Sequence, residues 1–82
     1  RFILADLTVD WHHDANRLHV FTGRHGVVAV MPLGEGHRVI ASAGQGPDEP
    51  GLAELQSLVD RAVPGRVRLR DPRWASRFTL HH

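Results

Sequence analysis

Residues 17–43 have the sequence RLHVFTGRHGVVAVMPLGEGHRVIASA. This stretch contains three segments of strand length, separated by glycine-flanked turns at residues 23–26 and 34–36. Glycine adopts positive φ at little cost, so turns of this kind commonly join antiparallel strands. Before them, residues 2–10 alternate between apolar and polar side chains, which is typical of a half-buried strand. Together these segments predict an antiparallel meander of about four strands.

A helix and a returning strand are predicted after the meander. Asp48 is a candidate helix cap, and an apolar stripe at helical spacing follows in residues 50–62: Leu52, Leu55, Leu58, Val59 and Ala62. Residues 66–70 alternate again, a break is expected at residues 71–72, and residues 73–82 read as a last strand with Trp74, Phe78 and Leu80 on one face. We therefore predict a single α+β domain over residues 1–82, with one covering helix and a C-terminal strand that returns to the same sheet.

Composition excludes several classes of protein. The chain has 82 residues and no cysteine, so disulfide frameworks and thiolate metal sites are ruled out. No apolar run approaches the roughly 18–20 residues that a membrane-spanning helix needs. Ten arginines against nine acidic residues give a net charge of +1, too little to attract a polyanion over long range. We expect a cytoplasmic protein with neither membrane nor nucleic-acid partners.

The patterns that usually carry chemistry are weak. Seven histidines are present, but none of their spacings matches a zinc motif, so we predict no metal site. The arginines at 66, 68, 70, 73 and 77 lack interleaved aromatic residues, which favours a solvated strand face over a phosphate track. Asp6 is an isolated carboxylate, and the chain has no nucleophile motif and no phosphate-binding loop. We therefore name no catalytic residue.

Three stretches, taken in order, carry a family resemblance. They are FILADL at residues 2–7, MPLGEGHR at 31–38 and DPRWASRFTLHH at 71–82. With the helix between the last two, they resemble the middle, substrate-binding domain of class A FAD-dependent aromatic monooxygenases, the p-hydroxybenzoate hydroxylase type that includes polyketide-tailoring enzymes. The three flavin signatures of that family, Gly-x-Gly-x-x-Gly, Asp-Gly and Gly-Asp segments, are absent from this chain. The resemblance implies a central part of a larger flavoprotein. FAD and NAD(P)H would then serve the parent enzyme, while this part alone would be inactive and bind no cofactor.

In that family the antiparallel sheet roofs the active site and holds an aromatic substrate against the flavin. The resemblance places the substrate-facing positions at Val20, Met31, Leu33 and Val39, although a place in the sheet core would explain each of them equally well. Because all four are apolar, an apolar polycyclic or polyketide-like substrate is implied. The implied partner is the FAD-binding domain of the same polypeptide. The alternative is a binding or interaction module that works alone through an apolar sheet face, and dimerisation of the fragment is left open.

Overall fold

The computed structural model describes residues 1–79. This part of the chain contains five strands and one helix, in the order β1 (Phe2–Asp10), β2 (His19–Gly23), β3 (Gly26–Leu33), β4 (Gly36–Ser42), α1 (Leu52–Ala62) and β5 (Arg68–Phe78). The five strands form one antiparallel sheet, which α1 covers on one side. The predicted α+β class, with one sheet and one helix, is confirmed. Within residues 1–79 no helix has the length and apolar character needed to cross a membrane.

The strand order differs from a simple four-strand meander. It runs β2-β3-β4-β1-β5, so β1 lies in the interior of the sheet beside β4 and β5, and only β2 to β4 form a meander. The eight residues 11–18 carry the chain from β1 across β4 and β3 to the edge. Three strand spacings amount to about 14 Å, well within the reach of roughly 26 Å for eight extended residues. The connection therefore allows this order, which local patterns do not reveal.

The core lies between α1 and one face of the sheet, here called the covered face. The alternation predicted for β1 is present, since Ile3, Ala5, Leu7 and Val9 are all buried. Because β4 and β5 are both antiparallel to β1, they run parallel to each other, and α1 is the crossover that joins them. The helix buries Leu55 and Val59 fully, and the rest of its predicted stripe packs against the same core: Leu52, Leu58 and Ala62.

Two local predictions are corrected. The helix begins at Leu52 after Gly51, with no side-chain cap; Asp48 instead accepts a hydrogen bond at its backbone oxygen from the amide of Arg77, at 2.9 Å. The break predicted at residues 71–72 is a bulge within a continuous β5. Asp71 has a φ of 52°, and the register against β1 shifts at this point. Trp74 and Phe78 share one face, as predicted, whereas Leu80 lies outside the described residues.

Candidate functional site

The face of the sheet opposite α1, here called the open face, is the candidate site. Cross-strand partners in an antiparallel sheet project to the same side, so the register identifies its members. Its apolar side chains are Phe2 and Leu4 of β1, Val20 of β2, Val27, Ala29, Met31 and Leu33 of β3, Ile40 of β4, and Trp74 and Phe78 of β5. All of them are partly or largely exposed, which distinguishes this face from the buried one beneath α1.

The structure brings together three of the four residues that the resemblance implied. Val20, Met31 and Leu33 lie on the open face, and Val20 and Leu33 are 56% and 43% exposed. Val39 is different: it pairs with Val30 on the covered face and is 0% exposed. Side chains alternate along a strand, so a shift of one residue exchanges the faces. Ile40, the next residue, occupies the open-face position opposite Ala29.

An ion pair lies in the middle of this apolar face. Arg38 donates to both carboxylate oxygens of Asp6, with Nε–Oδ1 at 2.8 Å and Nη2–Oδ2 at 3.1 Å. These hydrogen bonds hold the pKa of Asp6 below its usual value, against the opposing effect of burial, and Arg73 adds a smaller attraction. The same contact raises the pKa of Arg38. Since Met31 is the cross-strand neighbour of Arg38, the guanidinium borders the apolar surface directly.

No local sequence pattern links the two residues of this pair. Asp6 stood as an isolated carboxylate, and Arg38 was part of a motif without an assigned role. The two residues are cross-strand partners in β1 and β4, although 32 positions separate them in the chain. In each strand the charged residue stands between two buried residues that face the core, so alternation places both Asp6 and Arg38 on the open face. Knowing that β1 and β4 pair would have been needed to connect them.

Aromatic rings border one side of the open face. The rings of Phe2 and Phe78 stack with their centroids 5.8 Å apart. Trp74, farther along β5, has its side chain about half exposed. Aromatic faces make favourable offset-stacked or edge-to-face contacts with other rings. This edge therefore offers contacts suited to a flat, ring-containing ligand.

The predicted arginine row does not form a continuous phosphate track. Arg70 is held by Asp10, with Nε–Oδ2 at 2.6 Å, and by Asp71 at 2.6 Å. Arg77 is 4% exposed at its side chain and binds the backbone oxygens of the loop before α1. Only part of the row is a solvated strand face, because Arg77 points to the covered side.

The described residues do not fit FAD. Dinucleotide sites place the pyrophosphate at a helix N-terminus, after a parallel strand and a glycine-rich turn. Here the strand before α1 belongs to an antiparallel sheet, and the guanidinium of Arg77 lies against the backbone of residues 44–47. Among residues 1–79, no group of three or more histidine or carboxylate side chains is placed to hold a metal ion.

Comparison of the chain with known proteins identified no relative. No protein-family model matches the chain, and neither the curated proteins nor the solved structures contain a match. The resemblance to the aromatic hydroxylases therefore stays a prediction from the sequence, and the geometry of the open face is what the structure contributes to the question of function.

Proposed function

We propose that the open face binds a flat, apolar, ring-containing small molecule, as the substrate-binding domain of an FAD- and NAD(P)H-dependent monooxygenase. The observation that carries the proposal is the open face itself. It extends over all five strands, and among residues 1–79 the helix packs over the other face. Exposed apolar surfaces that include or border polar groups commonly mark binding sites.

The side chains of this face would divide the binding between them. Met31, Leu33 and Ile40 would contact the apolar body of the ligand, and Trp74 would border one of its rings. Burial of apolar area provides the affinity, at roughly 25 cal/mol per Å² removed from water. The Asp6–Arg38 pair would supply hydrogen-bonding groups that orient a hydroxyl or carbonyl substituent. Hydroxylation itself would be the work of a flavin held by the FAD-binding domain elsewhere in the same polypeptide.

The test is a pair of charge insertions in the intact parent enzyme. Met31→Arg and Leu33→Arg each place a cation on the open face, and each should weaken substrate binding by tenfold or more, because burying an uncompensated charge is costly. Ala53→Arg is the matched control: it adds the same charge at an exposed position of α1, on the other side of the sheet. Unchanged substrate binding and turnover in both open-face variants would refute the assignment.

A binding or interaction module that acts alone would use the same face. The charge insertions therefore do not distinguish such a module from a monooxygenase domain, and a different measurement is needed. The coding sequence on either side of the chain distinguishes them. A flavoprotein requires the glycine-rich and Gly-Asp signatures there, whereas a separate module does not. On the isolated chain, titration with FAD should give no binding under the first reading. Tight FAD binding by residues 1–82 would contradict the proposal that a separate domain holds the flavin.

A further inference from the structure

A cluster of aromatic rings lies on the covered face, on the opposite side of the sheet from the ion pair and Trp74. It consists of Trp11, His12, His13, His19 and Phe21, here called the Trp–His cluster. The ring centroids of His13 lie 4.7 Å from Trp11, 4.3 Å from His12 and 5.3 Å from His19. These contacts attach the 11–18 connection to β2, and the backbone oxygen of Asp14 lies 2.8 Å from Nε2 of His19.

His37 extends the group of histidines into the sheet. It lies near the start of β4 on the covered face, opposite Leu7, and is only 8% exposed. Four inaccessible nitrogens of this region have no hydrogen-bond partner among residues 1–79: Nε1 of Trp11, Nε2 of His13, and both Nδ1 and Nε2 of His37. An unpartnered buried polar atom destabilises the closed structure, and a charge at the same place destabilises it much more.

The charges around His13 oppose its protonation. Removal from water lowers its pKa, and the neighbouring His12 and His19 lower it further. On its own segment the nearest acid is Asp14, whose carboxylate already accepts a hydrogen bond from the amide of Asn16 and lies 3.5 Å from Arg17. The ring closest to His13 is that of His12, and both His12 and His19 disfavour a charge on it.

The charges around His37 are mixed, but burial has the largest effect. Desolvation lowers its pKa, His19 contributes in the same direction, and the Ala15 backbone and Asp10 act against them. Asp10 is itself bound by Arg70, so its carboxylate is already paired.

Charged residues of β1, the β3–β4 turn and β5 also lie near His37. Asp6, Glu35 and Arg73 line the same shallow cavity as His37. Asp6 is paired with Arg38, and Arg73 donates from Nη2 to Oγ1 of Thr8 at 3.3 Å. No described acid therefore forms an ion pair with His37.

We propose that the 11–18 connection is a pH-sensitive closure, which packs against the covered face at neutral pH and detaches when His13 and His37 take up protons. For a histidine whose folded pKa is lowered, the detached state binds more protons. The closed state is fully favoured above the ordinary value of about 6.5 and loses that advantage as pH falls below it. For each of the two groups, the equilibrium constant for detachment rises about tenfold per pH unit until the folded pKa is reached.

Tryptophan fluorescence tests this directly. The chain has two tryptophans, so Trp74→Phe leaves Trp11 as the only one. Acrylamide quenching of Trp11 is measured from pH 8 to pH 5, together with the far-UV circular dichroism of the sheet. The quenching constant should rise several-fold below about pH 6.5 while the circular dichroism stays constant. His13→Gln and His37→Gln should each reduce the rise, whereas His25→Gln, an exposed histidine in the β2–β3 turn, should leave it unchanged.

Three results would overturn the proposal. One is a quenching constant that stays constant down to pH 5, and another is a rise that coincides with loss of the sheet signal. The third is an undiminished rise in His13→Gln. That variant decides the question even if His37→Gln does not fold, because His13 is partly exposed and His37 is part of the sheet.

Discussion

Replacement of Arg77 by methionine is the most informative single test of how the helix is attached to the sheet. The buried guanidinium of Arg77 donates from Nε to the oxygen of Pro47 at 2.9 Å and from Nη1 to the oxygen of Gly44 at 2.8 Å. Its Nη2 donates to Oε1 of Glu54, in the first turn of α1, at 2.5 Å. One side chain thus joins β5, the loop and the helix. Methionine keeps the apolar stem and removes all the donors.

The magnitude follows from these three bonds. A hydrogen bond to a charged group contributes about 1.5–3 kcal/mol net. Losing all three would therefore cost roughly 4.5–9 kcal/mol if water could not reach the acceptor oxygens. Water can reach these acceptors, because the side chain of Glu54 is 35% exposed and the loop is at the surface. Water molecules can therefore replace the lost donors. We expect a loss of about 2–4 kcal/mol in the free energy of unfolding. A chain of this length is stabilised by only about 4–12 kcal/mol.

The measurement is urea unfolding, followed by circular dichroism. Arg68→Met is the control, since it makes the same change on the same strand at an exposed side chain, and it should stay within about 0.5 kcal/mol of the original chain. Amide hydrogen exchange should also become faster in residues 44–51 of the Arg77 variant alone. Equal stability of the two variants would refute the reasoning, because the guanidinium of Arg77 would then contribute no more than a solvated one.

Two further predictions concern β4 and the end of β1. Gly36→Ala should lower the free energy of unfolding by about 1–3 kcal/mol, because a Cβ there would lie 2.7 Å from the backbone oxygen of Leu7. Gly23→Ala, where a Cβ meets nothing within 4 Å, should leave stability unchanged or slightly higher in the same urea titration. Asp10 has a lowered pKa because Arg70 donates to it, so its contribution is complete above the ordinary value of 3.8 and is lost as pH falls through the folded value. Asp10→Asn should therefore flatten the stability curve below about pH 4, and an unchanged slope there would contradict this account.

The elements of the fold were predictable where the signal was local. Alternation in residues 2–10, the glycine-flanked turns and the apolar stripe of α1 each depend on side chains a few positions apart, and the structure contains all of them. The position of β1 was not predictable in this way. The alternation in β1 indicates that one of its faces is buried. It does not indicate which strands pair with β1, because that face would be buried equally well between any two neighbours.

The site was predictable only in part, for the same reason. The placement of Met31 and Leu33 on one face needs only the period of two along β3, and it agrees with the structure. Val39 does not share this face, because the phase of β4 relative to β3 depends on the turn between them. Arg77 was taken as one of a row of similar arginines. Its burial depends on the loop before α1, which no pattern in residues 66–77 reveals.

The central position of β1 also has a consequence for how the chain reaches its structure. The meander of β2 to β4 uses neighbours in sequence and can form early, whereas β1 pairs across the whole chain, with Phe2 opposite Phe78. Contacts between distant residues slow folding, and sheets dominated by them fold in milliseconds to seconds. During synthesis, at about 5–20 residues per second, β1 is made several seconds before β5, its last partner. Until then one edge of β1 has no partner strand.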